Sequence, residues 1–453
     1  MGGLNTSLLI GSQALEVAQG ALAATSNNIA NANTPGYTRE VPQFVENEQS
    51  QSGNETIGGG VSLTGLQSVR DELLSLQIQS QTSLQSSADT QSSSLQEIQT
   101  NFTTSGGDIT SALSAFSSSL AQLSANPSSS AVQQGVISSG QNLAQAFSTT
   151  ANGLTSVQSG ADTQVTQTVA QINSLTTQIA QLNGQVAQLT AAGQDGGTTE
   201  DQRDELVQQL STLTGITVVQ SSDGETITTG NGTPLVMGDR SYSLQTTTGS
   251  DGMQHVLDSN GVDITKAIQG GQLGGAIEIR DQVIPGFLTQ LNSLASQFTT
   301  AFNAAQAKGY DSTGKTGTNF FSVSSSATAA SMSVAISDPS QIAISSDGSA
   351  GSNGNVANLS AALTSALPSG QTPAQAYAGL VDAVGTAASD ASSQSTAIGQ
   401  NLTQLNNQKD SVSKVSVDEE TTNLIRFQTA YEAAARIVST IQQLNSDTIN
   451  MIS

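Results

Sequence analysis

Apolar residues near the start of the chain recur at alternating steps of four and three: Leu4, Leu8, Gly11, Leu15, Ala18, Leu22, Thr25 and Ile29. That spacing predicts a helix carrying the a/d stripe of a coiled coil. Leucine holds one seam position and small residues hold most of the other, so a partner helix can approach closely on the small side. The stripe ends where Asn31, Asn33, Pro35 and Gly36 break the helix. The last segment repeats the pattern with Leu424, Phe427, Tyr431, Ala434, Val438, Ile441 and Asn445. An antiparallel pair of terminal helices follows naturally, with Asn445 as the polar residue that fixes register. Two amphipathic helices packed separately on a globular core satisfy the same periodicity.

Between these ends the pattern divides the chain into helical stretches up to about Gly215, a β-patterned block from Ile216 to Ile279, and helical stretches again from Ile284. Leu66, Val69, Leu73, Leu76, Leu84, Leu95, Ile98 and Phe102 mark a long helix closed by Gly106 and Gly107. Asp108 is placed to cap a shorter helix that Pro127 ends. Val165, Val169, Ile172, Leu175, Ile179, Leu182, Val186 and Leu189 form another stripe, ended by Gly193, Gly196 and Gly197, and a helix from about Glu200 to Leu213 follows. The β block reads as TVVQ, ETITTG, PLVMG, YSLQT, HVLD and AIEIR separated by hairpin turns. Phe287, Leu288, Leu291, Leu294, Phe298 and Phe302 then give a helical face. A Ser/Gly/Asn-rich stretch to about Val356 reads as loop with short strands. Thr372-Pro373 starts a long helix with Pro at its first position.

The chain has 453 residues, a prior of about three domains, and a formal charge of -23 with pI ≈ 4.1. That charge argues against nucleic acid and against an anionic membrane as partners. Charged residues are only 10%, and Ser, Thr, Gln and Asn fill the gap. With Cys 0 and His 1, disulfides, Cys/His zinc sites and thiol catalysis are excluded. Met1 to Gly11 has no basic n-region or long apolar run, so a cleavable secretory signal is not supported, and no stretch of ~20 apolar residues spans a membrane.

Candidate chemistry is sparse. Gly309 to Thr316 matches G-x-x-x-x-G-K-[ST], but the phosphate loop needs a strand before it and a helix after it; here a helix precedes and Gly317, Asn319 and Phe320 follow. A surface turn is the better reading, and the Asp347-Gly348 pair is likewise a turn rather than a calcium loop. His255 sits in a strand-like stretch with no second His or Cys to share a metal, so it is structural. Asp201 to Glu205 puts acidic groups at a helix N-terminal turn, where they favour the dipole, and Arg203 is expected to form a structural salt bridge.

Both ends go beyond pattern. Ser26 to Glu40, SNNIANANTPGYTRE, with Asn27, Asn28, Asn31, Pro35, Gly36, Tyr37 and Arg39, resembles the N-terminal signature of the bacterial flagellar axial proteins (rod, hook and hook-associated). Val415 to Ile437, with Asp418-Glu419-Glu420, Asn423, Leu424, Arg426 and Tyr431, resembles their C-terminal signature. The interior stretches DQRDELVQQLSTLTGI, GGQLGGAIEIRD, AFNAAQAKGYDSTGKTGTNFF and QAYAGLVDAVG are similar to the branch found at the hook–filament junction. The Pro-Gly-Tyr-Thr-Arg ending suits that branch better than the Val-Gly-Phe usual in the hook protein. The likeness covers most of the helical part and weakens through the β block. Larger relatives insert an outer domain after the Asn319-Phe320-Phe321 region; this chain passes quickly to Gln341-Ile342-Ala343-Ile344, so that domain is expected to be missing.

Pattern and resemblance together imply a mainly α fold with a small inserted antiparallel β domain. A terminal coiled coil would comprise 1–45 and 411–453, a discontinuous helical-bundle middle domain 46–215 and 284–410, and an outer β domain 216–283. The resemblance implies a non-enzymatic structural adaptor between hook and filament without cofactor or metal; the alternative is a hook or distal-rod protein of the same superfamily. It implies terminal helices that order on assembly, through Leu8, Leu15, Leu22, Ile29, Leu424, Phe427, Tyr431, Val438 and Ile441. Implied partners are identical subunits in a ring, hook protein, a second junction protein or flagellin, and an export chaperone at the C-terminal helix. The implied location is extracellular, after export through the flagellum's own channel, which suits a chain without cysteine or signal peptide.

Overall fold

A computed structural model describes residues 2–48, 50–52, 55–103, 108–194, 196–221, 224–325 and 328–452. In chain order its elements are α1 (Gly2–Asn31), β1 (Glu40–Glu46), β2 (Ser50–Ser52), β3 (Glu55–Ile57), β4 (Val61–Ser68), α2 (Glu72–Thr103), α3 (Ile109–Ala125), α4 (Ser130–Ala191) and α5 (Gly197–Leu213). There follow β5 (Ile216–Ser221), β6 (Gly224–Thr229), β7 (Pro234–Met237), β8 (Arg240–Ser241), β9 (Gln245–Thr248) and β10 (Gln254–Leu257). The remainder is α6 (Gly271–Glu278), α7 (Ile284–Gln306), β11 (Phe321–Ser322), β12 (Ser333–Val334), α8 (Val356–Thr364), α9 (Pro373–Ser413) and α10 (Val417–Ile452). The fold is thus mainly helical with small antiparallel sheets.

Local signals set several boundaries. Asp108 caps α3 by accepting from the Thr110 amide, and Thr372 with Gln375 forms a reciprocal capping box at α9 with Pro373 in the first turn. Gly106 and Gly107, expected to close α2, lie outside the described residues.

α4 is the spine: its 62 residues extend roughly 93 Å. Its first half buries Val136, Ile137, Leu143, Phe147 and Leu154 in a core shared with α3, α7, α8 and α9. At the centre of that core Phe116, Phe298, Phe302, Phe320 and Phe321 lie with ring centroids 4.8 to 6.0 Å apart. Its second half buries Val165, Val169, Ile172 and Ile179 against α5, α6 and the β block.

With few charges available, asparagine amides join helices to neighbouring backbone, since one side chain both donates and accepts. Asn173 donates to the Leu244 carbonyl and accepts from its amide, both at 2.8 Å. Asn183, fully buried, donates to the Glu225 and Gly238 carbonyls. Asn303 on α7 holds Phe320 and Phe321 by their backbone in the same way.

The β block forms a four-stranded antiparallel sheet in the order β5-β6-β7-β8, beside the separate β9/β10 pair. Arg203 reaches from α5 to Glu225 on β6 at 3.1 Å, the structural salt bridge expected of it. His255 lies on β10 between Asp263, 2.6 Å away, and Asp251 at 3.2 Å.

Three expectations fail, each for a tertiary reason. The region up to about Gly215 is expected to be helical, with a helix marked from Leu66, yet β1 and β4 pair as an antiparallel hairpin from Glu40↔Ser68 to Glu46↔Val61, bulged between Gln43 and Phe44. Leu66 therefore lies on β4 opposite Pro42, and Val69 on the exit from it. α2 starts only after Asp71, whose carboxylate accepts from the Leu74 amide. AIEIR is not a strand: it ends α6 and enters a π-helical turn, Ile279–Val283, that continues into α7. Its alternation misleads because Ala276, Ile277, Ile279 and Arg280 are all buried. Arg280 pairs with Asp162 at 2.7 Å and donates to the Gln254 carbonyl. Gly275 is a contact surface rather than a turn, since a Cβ there would lie 2.8 Å from the Ser87 carbonyl of α2.

The described residues from Ala307 to Asn355 are loop with short strands and one 3-10 turn, Pro339–Gln341, and Gly309 to Thr316 is a turn. The Asp311 carboxylate accepts from the amides of Thr313 and Lys315, occupying the donors a phosphate would need. α8 was not anticipated within the region before Thr372.

Two outcomes follow from this packing. Phe302→Ala removes a ring that meets Phe116, Phe298, Phe320 and Phe321 and should cost about 3–5 kcal/mol in urea unfolding followed by circular dichroism. Hydrogen bonds to Asp263 and then Asp251 raise the His255 pKa above the usual histidine value. Bonding to Thr265 is the main cause that holds the Asp263 carboxyl down at about 2. The imidazolium contribution is therefore complete below the ordinary histidine pKa and lost as pH rises through the raised one. An NMR titration of the single histidine should show this elevation, and Asp263→Asn should return it towards the ordinary value.

Candidate assembly interface

The heptad stripes of α1 and α10 pack against each other. Gly11 lies beside Val438 and Asn28 beside Glu420, so the two helices run antiparallel. A Cβ on Gly11 would fall 2.9 Å from Val438 Cγ2, which is why the smallest residue occupies that seam position. Along α1 the small side is buried at Gly11, Ala18, Ala21, Ala24 and Thr25, whereas Leu8, Leu15, Leu22 and Ile29 are half-buried. On α10, Ile441 and Ala434 are buried, Leu424, Phe427 and Val438 are half-buried, and Tyr431 is 40% exposed. α1 also rests on the hairpin, where Gly20 meets Leu63 of β4.

At the far end of the pair lies a polar cluster. Asn28, 1% exposed, donates to the Glu40 carbonyl at 2.8 Å and to a Glu420 carboxylate oxygen at 3.1 Å. Its own oxygen accepts from the Tyr37 hydroxyl at 2.8 Å and the Glu40 amide at 3.0 Å. Every hydrogen-bonding position of this buried amide is thereby filled. Glu420, 2% exposed, has its charge matched by Arg39, whose Nε is 2.9 Å from it. Arg39 also reaches the exposed Glu419, a pair of little weight in water. The Arg39 amide donates to the Ser413 carbonyl and its carbonyl accepts from the Val69 amide, joining α1, the hairpin and the α9/α10 link at one point.

A second set of charges fastens this point to α5. The Thr38 amide donates to Asp201, and Arg70 pairs with Asp201 at 2.7 Å, Asp204 at 2.8 Å and Glu200 at 3.2 Å. Burial pushes the Asp201 carboxyl above the usual range despite these partners.

The signature residues separate into two groups. Asn27, Asn28, Asn31 and Tyr37 form one network, with Asn31 donating to Asn27 and Asn27 to the Tyr37 hydroxyl. Pro35 and Gly36 form the exposed turn that brings Tyr37 back. Asn423 is half-buried; Arg426 is exposed, its guanidinium 4.8 Å above the Phe427 ring. Asn445, expected to fix register, is half-buried and its side chain makes no hydrogen bond among the described residues. A buried polar contact between the helices lies at Asn28 and Glu420 instead. Sequence reasoning did not assign a contact to Arg39, Glu420, Thr38 or Arg70; for Arg39 and Glu420 a charge inside the signatures of a chain so poor in charge was the available signal, and for Thr38 and Arg70 there was none.

Part of α10 remains uncovered. Ile425, Ile437, Leu444, Ile449 and Met451 are between 49% and 82% exposed, as is Leu9 of α1 at 56%. Ile437, Leu444 and Met451 recur every seven residues beside the seam, a row that local periodicity does not separate from the seam itself. Among the described residues no group of three or more metal-ligating side chains occurs, and no helix is long and apolar enough to cross a membrane.

Comparison with known proteins agrees at both ends and in the middle. Residues 95–321 match the "Flagellar hook-associated protein FlgK helical domain" family, 8–38 match "Flagella basal body rod protein", and 408–451 match "Flagellar basal body rod FlgEFG protein C-terminal". The chain is 30% identical to flagellar hook-associated protein 1 of Bacillus subtilis over 97% of its own length and 96% of the relative's. It is 26% identical to the Escherichia coli protein of that name over 96% and 98%. The match to the Salmonella typhimurium protein, 29% identical, covers 69% of this chain and 58% of that one. In three dimensions the flagellar hook junction protein FlgK from Burkholderia pseudomallei is similar at a TM-score of 0.68 and 19% identity, over 74% of this chain and 100% of the other.

Removing Arg39 leaves the buried Glu420 charge with only the Asn28 amide. Arg39→Ala should therefore destabilise the paired ends by on the order of 3 kcal/mol, the low end for a broken buried pair because Arg39 keeps 23% exposure. Hydrogen exchange of α1 and α10 should accelerate while that of α3 and α4 stays unchanged.

Proposed function

The chain belongs to the flagellar hook-associated protein 1 family, structural proteins of the hook–filament junction, and from that premise we propose that it works as an adaptor assembled through its paired terminal helices. One observation carries the reading: α1 and α10 bury one side of their apolar surface against each other and leave a second apolar row on α10 open to neighbours. Covering that row in an assembly would add the buried area that offsets the entropy of ordering two long chain ends. The hook or distal-rod reading is not favoured, since the middle of the chain matches the hook-associated helical family.

In this proposal 1–45 with 411–453 make the axial core, 46–215 with 284–410 the helical middle and 216–283 the outer β domain. The seam residues Leu8, Leu15, Leu22, Ile29, Leu424, Phe427, Tyr431, Val438 and Ile441 carry burial within and between subunits. Identical copies form a ring, with hook protein below and a second junction protein or flagellin above. Family analogy supports export through the flagellar channel to the cell exterior, with a chaperone holding the C-terminal helix beforehand. The role is mechanical, and the Gly309 to Thr316 loop has no part in it, its amides being held by Asp311.

Purified protein added to isolated hooks should form a limited cap visible by electron microscopy. Leu15→Asp and Ile441→Asp should abolish capping with the thermal transition of the middle domain unchanged. Extended polymer from the unaltered protein, or normal capping by both variants, would defeat the proposal.

A further inference from the structure

We infer that the buried contact of Asn28, Glu420 and Arg39 sets the register of the two terminal helices. This deepens the assembly role proposed above and rests on it for its consequence, though not for its geometry.

The apolar seam by itself is permissive. Small residues recur on α1 at heptad spacing, Gly11, Ala18 and Thr25, so a slide of one heptad exchanges one small position for another. Such a slide is roughly 10.5 Å. The covalent connection does not forbid it, because residues 32–39 between α1 and β1 extend to roughly 26 Å. Polar burial discriminates where the seam does not. Among the described residues, Thr25 and Asn28 are the polar residues buried along α1, and Glu420 the one along α10. Asn28 and Glu420 bond to each other at 3.1 Å, and Arg39 neutralises the carboxylate from 2.9 Å. A slide of one heptad either way breaks the Asn28–Glu420 contact, leaving the carboxylate without that donor and the amide with an unfilled position. Thr25 is neutral, so its burial in another register strands no charge and makes a smaller demand. The group also lies where both helices leave the body, so a register set there is transmitted to both free ends.

The chain has no cysteine, so engineered pairs report register without background. Gly11→Cys with Val438→Cys is the in-register pair; Gly11→Cys with Tyr431→Cys, or with Asn445→Cys, lies one heptad to either side. Each is made in the full chain and oxidised both free in solution and after addition to isolated hooks. With Asn28, Arg39 and Glu420 intact, the in-register pair should bridge in preference to the others. Glu420→Leu and Glu420→Gln should reduce that preference at least fivefold, with the helical signal in circular dichroism retained. If Glu420→Leu loses helix, the near-isosteric Glu420→Gln decides by the same comparison. An unchanged preference in Glu420→Gln, or no preference in the intact chain in either state, overturns the inference. A chain that fails to cap hooks but keeps its in-register preference in solution, lost in Glu420→Gln, counts for the register assignment and against the assembly reading.

Discussion

A carboxylate taken out of water needs a positive partner and filled hydrogen bonds, and Glu420 finds both only if residues almost four hundred positions away are already in place. Asn28 must be at the end of α1, Arg39 at the start of the hairpin, and the α9/α10 link folded back so that the Ser413 carbonyl meets the Arg39 amide. The polar group that joins the two ends therefore also decides where they leave the body. Thr38 and Arg70 continue the chain of contacts to the acidic first turns of α5, so the terminal pair is fastened to the helix that packs on the spine.

Elsewhere the molecule is held with little charge. A surface-rich, elongated helical chain with 10% charged residues has few ion pairs to spend on cross-links. Amides replace them: Asn173 and Asn183 join α4 to the β block, Asn303 holds the loop that supplies Phe320 and Phe321, and Asn355 ties that region to α7 through the Ala305 carbonyl. Each is neutral, so its burial avoids the large desolvation cost of an ion, and each donates to backbone carbonyls of another segment. Where charge is buried, as at Arg280 and Arg203, it joins α4 or α5 to the β block.

The uneven burial of the terminal pair bears on assembly. The small side of α1 is closed off at Ala18, Ala21, Ala24 and Asn28, while on α10 Ile425, Ile437, Leu444 and Met451 stay open along the length of the helix. A pair anchored at the body and open along one face suits a subunit whose last ordering step is completed by neighbours, because the exposed face gains most from association.

Much of this was legible from residue order alone. Heptad spacing marked α1 and α10, Asp108 and Thr372-Pro373 marked helix starts, and the two signature stretches indicated the family, because each of these signals is local. The failures lay where the deciding partner is distant in sequence. AIEIR alternates like a strand yet buries every residue but Glu278 once Gly275 lets α6 approach α2. Leu66 and Val69 keep helical spacing, but pairing of 61–68 with 40–46 makes that stretch a hairpin. Asn445 had the right residue type at a seam position, and still the register contact formed at Asn28 and Glu420, because at that end of the pair three separate segments converge to exclude water from a charge. Periodicity determines which face of a helix is apolar; the tertiary structure decides what covers it, since burial depends on what the rest of the chain brings to that face.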